Sequence, residues 1–341
     1  MADHVAAAVY GGGWIFVYCA FAVLIGRTRV GAGAAVRWLA FNLRSFAMAV
    51  NVACIGGRAA YDLVRKGVFS AERLGPRATP YGESQPLYRC RSKGGDFLLL
   101  CRHGEAGYEV TPNLINYRAN IYALRDLDVV SVVSWSETRA ISHNYKVGQF
   151  VVVDDLIDET ISRPTTFFAN KELGHIRHWP VFCPNLRKAF VTALEELKLD
   201  YSDRGVYVCI EGPRQETPAE AHKYEVFGGE LIGQTLAPEV FLAKELQMAY
   251  ASLCFVASYA ETGTPYPAFE AGRVLSEDVL ARRAEQAVQN MPRILERVFE
   301  VLREKPAGAE AAELRDSDRN GNWREWFGSP GAQKAARAER T

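Results

Sequence analysis

Four short stretches carry residue types able to handle an anion or a heterocycle, and each lies where an apolar run gives way to polar residues. Leu100-Cys101-Arg102-His103-Gly104 ends a hydrophobic run in two potential cations. An arginine placed there can grip a phosphate with two parallel hydrogen bonds. Cys54–Tyr61 reads CIGGRAAY, a glycine turn whose backbone amides suit an anion at a helix start. Val208–Glu220 passes through Glu211, the Gly212-Pro213 turn and Glu216 before Thr217 and Glu220, which have the spacing of a capping box. Capping accounts for Thr217 and Glu220, but not for two more carboxylates beside a buried strand. Ile232–Glu239 repeats the order of strand, polar loop and helix.

The elements that must position these stretches follow from hydrophobic periodicity. Runs rich in Val and Ile predict strands at Asn51–Ile55, Phe97–Cys101, Val129–Ser134, Phe150–Asp154, Val206–Ile210, Leu231–Gln234 and Ala251–Ala257. Helical spacing predicts helices at Asn116–Leu127, Asn185–Leu197, Pro218–Phe227, Pro238–Met248 and Ser276–Arg303. In the last, Val279, Leu280, Ala287, Met291, Ile294, Leu295 and Val298 recur on one face, which should cover the sheet. The alternation is that of an α/β domain with a buried, largely parallel sheet, and such sheets take ligands at the carboxyl ends of their strands.

Composition narrows the function classes. The 341 residues are 48% hydrophobic and 23% charged, enough to bury a large core. Forty Lys and Arg balance forty Asp and Glu, so no global field exists to hold a polyanion, and nucleic acid is not an expected partner. The seven cysteines are dispersed and form no Cys-x-x-Cys, which argues against a disulfide framework and a metal site and for a reducing, cytoplasmic setting. Three regions result: an apolar N-terminal extension at 1–47, a domain at 48–303 and a polar tail at 304–341 in which Trp323, Trp326 and Phe327 stand out. Ala6–Gly26 carries no charge and is followed by Arg27 and Arg29, so residues 6–26 form a candidate membrane segment. Its alternative is an extension unused by the domain, with Met48 a sensible start before the first strand.

From Cys54 to about Ala260 the chain resembles the trimeric purine nucleoside phosphorylase and 5′-methylthioadenosine phosphorylase family. The matching pieces, in order, are the Gly-Gly turn with Tyr61-Asp62-Leu63, Thr79-Pro80-Tyr81-Gly82-Glu83, Arg102-His103-Gly104, Asn116-Tyr117-Arg118-Ala119-Asn120 and the Val151–Asp158 strand and loop. Phe182-Cys183-Pro184, Glu211-Gly212-Pro213-Arg214, Pro238-Glu239 and Leu242-Ala243-Lys244-Glu245 complete the series. The resemblance implies a single α/β domain with a mixed twisted sheet flanked by helices, a homotrimer, and attack of inorganic phosphate on the anomeric carbon of a nucleoside without metal or other cofactor. It implies a phosphate cradle of Gly57, Arg58, Arg102, His103, Ser136 and Thr235. Gln215 and Gln234 would face the substrate, and His175 would reach a neighbouring subunit's substrate. Glu216, at a position typical of 6-oxopurine enzymes, would accept a hydrogen bond from the base, and Ser258 would meet N7, with Glu216, Ser258 and His103 as catalytic residues.

Departures from the family pattern qualify that expectation. Arg58 replaces a small hydroxyl residue, and Ser136-Glu137-Thr138-Arg139-Ala140 puts a carboxylate and a guanidinium where small residues and a glycine are usual. A carboxylate beside a bound anion repels it unless neutralised, so Glu137 requires Arg58 or Arg139 as a partner. Val256-Ala257-Ser258-Tyr259-Ala260 lacks the aspartate expected of 6-aminopurine enzymes, and serine is a poor acid. A 6-oxopurine nucleoside is favoured on this reading, its 5′ substituent open. A catalytically silent nucleoside-binding relative, or a hydrolase with water in place of phosphate, are the alternatives.

Overall fold

The protein is described by a computed structural model covering residues 51–106, 108–141, 144–169, 175–261, 269–270, 273–304 and 323–324. The extension at 1–47, with its candidate membrane segment at 6–26, lies outside the described residues, as do Trp326 and Phe327. No described helix is long and apolar enough to cross a membrane.

Strands β1 (Val52–Gly56), β2 (Ser70–Gly75), β3 (Ala78–Thr79), β4 (Gly82–Glu83), β5 (Leu87–Arg91), β6 (Phe97–Cys101), β7 (Ser131–Ala140) and β8 (Phe150–Val152) form the first half. They are followed by β9 (Asp155–Glu159), β10 (Tyr201–Ser202), β11 (Val206–Ile210), β12 (Leu231–Gly233), β13 (Ala249–Tyr259), β14 (Phe269–Glu270) and β15 (Arg273–Val274). The helices are α1 (Ala60–Arg65), α2 (Tyr117–Asp126), α3 (Pro184–Glu196), α4 (Pro218–Val226), α5 (Glu239–Glu245) and α6 (Glu277–Glu304). One eleven-stranded sheet runs β10-β8-β13-β7-β1-β6-β5-β2, with β12 joining β7 to β11 and β11 joining β9.

The centre of the sheet is parallel: β6, β1, β7 and β13 run side by side in one direction. Their side chains are buried almost without interruption, as strands covered on both faces require. The sheet is mixed rather than largely parallel, because β5, β2, β8 and β12 pair antiparallel at its margins. The periodic face of α6 is buried at Ala287, Met291, Ile294, Leu295 and Val298, and the helix packs on β13 and α3. Trp323 is buried too, edge-on to Tyr122 at 5.1 Å between ring centroids and under Arg125.

Two details fix the strand ends that matter for chemistry. The register of β13 slips between Val256 and Ser258, a bulge that re-aims the side chains at its end and brings Ser258 opposite Arg139. At the end of β12, a methyl group on Gly233 would meet the Tyr207 ring and hydroxyl, and that hydroxyl accepts the Thr235 amide at 3.2 Å. Gly233→Ala must therefore displace a fully buried tyrosine, which overpacking data put at about 1–3 kcal/mol. A urea titration should show the lowered midpoint; an unchanged midpoint would contradict the contact.

Candidate active site

A cavity of about 470 Å³ opens where β1, β7, β12 and β13 end. Gly57 and Arg58 follow β1, His103 follows β6, Ser136 to Arg139 close β7, Gln234 and Thr235 follow β12, and Ala257 and Ser258 end β13. Tyr108, Pro213 and Gln215 complete much of the wall. Residues from the four sequence stretches thus converge on one volume.

Arg102 does not line it. The side chain is fully buried beneath the cavity, and all of its donors are engaged. Nε donates to Gly56 O at 3.1 Å, Nη1 to both Glu239 oxygens at 3.0 and 3.1 Å, and Nη2 to Ile55 O at 3.3 Å and Trp135 O at 2.5 Å. Tyr250 donates to Glu239 at 2.5 Å and meets Ser134 Oγ at 2.7 Å, and Ser134 Oγ donates to Ser252 Oγ at 2.8 Å. Burial opposes the charge on Arg102, and Glu239, the next influence, helps hold its pKa above the ordinary value. The expected bidentate grip on phosphate is corrected accordingly: the guanidinium has no donor left for a ligand, and it ties the end of β1 to the middle of β7.

The neighbouring residue faces the other way. His103 lines the cavity, its Nδ1 lies 2.8 Å from Val110 O, and Tyr108 stacks on its ring at 4.6 Å. Burial, with Arg102 and Arg58 adding to it, pushes the imidazole down to about 4, so it is neutral at physiological pH. Ser136 Oγ and Thr235 Oγ1 lie 3.2 Å apart. Gly57 is small because a Cβ there would come within 2.9 Å of the Trp135 indole nitrogen. Arg58 Nη2 lies 3.2 Å from Glu137 Oε2, so the two charged departures are partners. Burial raises the Glu137 pKa while Arg58 opposes the rise.

On the other side of the cavity Arg139 takes a different carboxylate. Its Nε donates to both oxygens of Glu216 at 3.0 Å and its Nη2 also bonds Glu216, which accepts the Glu261 amide at 3.0 Å as well. Burial resists ionisation of Glu216, but the hydrogen bonds and charge of Arg139 prevail and hold its pKa below the usual carboxylate value. Glu216 is 4% exposed and is not part of the cavity wall, so the expectation that it accepts a hydrogen bond from the base is corrected: its oxygens are committed to Arg139 and Glu261. Ser258 and Gln215 do line the cavity. Gln234 does also, with its amide donating to Arg214 O at 2.9 Å. His175 is exposed and lies outside the wall. Glu211 accepts from the Ile161 amide at 2.7 Å and from Ser162 Oγ at 2.8 Å, beside buried Arg163.

Comparison with known proteins gives this geometry its chemistry. The family model described as the phosphorylase superfamily matches residues 67–300. Among curated proteins, the 6-oxopurine nucleoside phosphorylase of Pyrococcus furiosus is 40% identical over 219 residues, spanning 62% of this chain and 80% of that protein. The S-methyl-5′-thioadenosine phosphorylase of Saccharolobus solfataricus is 36% identical over 258 residues, 75% of this chain and 91% of that one. The chain belongs to the purine nucleoside phosphorylase and methylthioadenosine phosphorylase family. A solved methylthioadenosine phosphorylase sourced from an antarctic soil metagenomic library superposes with a TM-score of 0.67 at 28% identity, covering 78% of this phosphorylase and 90% of that chain. The enzyme class is that of the nucleoside phosphorylases, which are pentosyltransferases.

Tyr108, the Glu239–Tyr250 pair beneath the cavity and the Arg139–Glu216 pairing were not foreseen in the phosphorylase sequence. Glu239 stands in a Pro-Glu motif, and no local sequence signal marks it as the partner of Arg102, 137 residues away. Two outcomes follow for stability and binding. Arg102→Ala strands a buried carboxylate and should cost about 3–5 kcal/mol of unfolding free energy, read from urea titration; a wild-type midpoint would contradict the network. Glu137→Gln should tighten phosphate about tenfold and Arg58→Ser weaken it about tenfold, about 1.4 kcal/mol each. If Arg58 acts chiefly by neutralising Glu137, its loss should cost little once Glu137 is neutral, so the double variant should stay near the tightened affinity of Glu137→Gln; a return to the starting affinity, the strictly additive result in phosphate KM, would show the pair to be uncoupled.

Proposed function

We propose that this phosphorylase acts on 6-oxopurine nucleosides in preference to 6-aminopurine nucleosides, with phosphate held by Arg58, Ser136, Thr235 and the Gly57 turn. His103, being neutral, serves as a hydrogen-bonding wall of that cradle rather than as a cation. The observation that carries the reading is the division of the cavity into two ends. Two hydroxyls and a guanidinium gather where an anion would sit, and the carboxylate beside them is already neutralised by that guanidinium. Three residues further along β7, about 10 Å at the rise of a strand, stand Arg139 and its neighbour Ser258. No carboxylate in the described wall apart from Glu137 is available to donate a proton to N7 or to accept from a 6-amino group.

The chemistry required is modest. An oxocarbenium-like state needs a nucleophile fixed on one face of the sugar and relief of the charge that develops on the departing base. No metal or redox group is called on for either task. Gln215 and Gln234 flank the sugar in this reading, and in a homotrimer His175 would reach the substrate of an adjacent subunit.

Base release from inosine, guanosine and adenosine, each with and without phosphate, tests the proposal. Release from the 6-oxopurine nucleosides should require phosphate and exceed release from adenosine by on the order of a hundredfold, since a site that hydrogen-bonds one substituent rejects its opposite strongly. Faster cleavage of adenosine would overturn the preference. Release without phosphate would make the enzyme a hydrolase, and no release with any nucleoside would make it a silent binding relative.

A further inference from the structure

Arg139 is held by one edge only. Its Nε and Nη2 bond Glu216, while Nη1 has no hydrogen-bond partner among the described residues, although the residue lines the cavity. The Glu216 side chain is completely enclosed and is pinned a second time by the Glu261 amide, so the guanidinium cannot follow a ligand without breaking a buried pair. Across the β7–β13 ladder the residue in register with Arg139 is Ser258. A cationic donor held by Glu216 and a neutral hydroxyl therefore stand in register on neighbouring strands, three residues along β7 from Ser136.

We infer that Arg139 reads the base and stabilises its departure as an anion, with Glu216 as its positioning residue. This rests on the phosphorolysis reading above and extends it. As a phosphate oxygen bonds to the anomeric carbon, the carbon–nitrogen bond breaks and its electron pair leaves with the purine. A guanidinium does not give up a proton at any working pH, so no protein acid completes the base at this step. The negative charge spreads onto the ring nitrogens and the 6-oxygen, faces the Nη1 edge, and is quenched afterwards by a proton from water. A 6-oxygen accepts from that edge, whereas a 6-amino group presents hydrogen to hydrogen. The substrate class is therefore nucleosides whose purine carries an oxo group at position 6 and leaves readily as an anion. Fixed charges aimed at developing charge are worth about 10²–10³ in rate.

A nucleoside whose base needs no such help separates this role from a structural one. In 7-methylguanosine the ring is already cationic, so the base departs without net negative charge, and a nearby guanidinium gives it no advantage. Wild-type enzyme, Arg139→Gln and the doubly neutral Arg139→Gln/Glu216→Gln, which leaves no buried carboxylate without its cation, are compared on guanosine and 7-methylguanosine in saturating phosphate. Both variants should lose about a hundredfold in kcat/KM on guanosine and less than about threefold on 7-methylguanosine. Equal losses on the two nucleosides, or an unchanged rate on guanosine, in either variant would overturn the role of Arg139. If wild-type enzyme releases base from neither nucleoside, the phosphorolysis reading itself falls, an outcome distinct from failure of the variants alone.

Discussion

The buried Arg102–Glu239 pair is the constraint on which the rest of the site depends. One guanidinium collects the carbonyls of Ile55 and Gly56 from β1 and of Trp135 from β7, and Glu239 couples it to α5 and, through Tyr250, to β13. The β1–β7 ladder stops at Ile55 and Ser134, and buried carbonyls where a ladder stops must be satisfied elsewhere. Arg102 satisfies three at once. Gly57 and Arg58 follow the end of β1 so fixed, and Ser136 and Glu137 are the next residues of β7 after Trp135; preorganisation of this kind lets a cavity bind an anion without first rearranging.

Above that floor the charges are distributed in pairs. Glu137 is joined to Arg58 and Glu216 to Arg139, so each carboxylate that would oppose an anionic ligand or a departing base has its own cation. The two pairs differ in kind. Arg58 is 60% exposed along its side chain and Glu137 27%, a contact worth little to stability but able to tune the local potential. Glu216 has no exposed side-chain surface and Arg139 only 17%, a pair whose separation would leave a charge buried and uncompensated. The first pair can yield to a ligand, and in the second Glu216, behind the wall, holds Arg139 fixed within it.

Much of this was legible in the sequence, and the limits have physical causes. Phe97–Cys101 and Val206–Ile210 are strands with the expected bounds, because uninterrupted apolar runs of that length between polar breaks have few other fates. Thr217 and Glu220 form the capping box that their spacing announces. The strands β2 and β9 escaped because an exposed SAERLG and a half-buried DLIDE carry no apolar alternation. For Arg102 the position is as expected and the direction is not: in the turn after β6, His103 reaches the cavity and Arg102 the core, where Glu239 and three carbonyls take its donors. The partner of Glu216 lies 77 residues away, and composition leaves Arg139 free to pair with Glu137 or Glu216 until the strands are placed.

The most direct measurement is a crystal structure of the enzyme with phosphate and a carbon-linked inosine analogue that cannot be cleaved. Phosphate should contact Arg58, Ser136 Oγ and Thr235 Oγ1, with the 6-oxygen of the base within about 3.2 Å of Arg139 Nη1 and the Arg139–Glu216 pair intact. A base bonded to the Glu216 carboxylate with Arg139 displaced, or phosphate on the Arg102 guanidinium, would contradict the account.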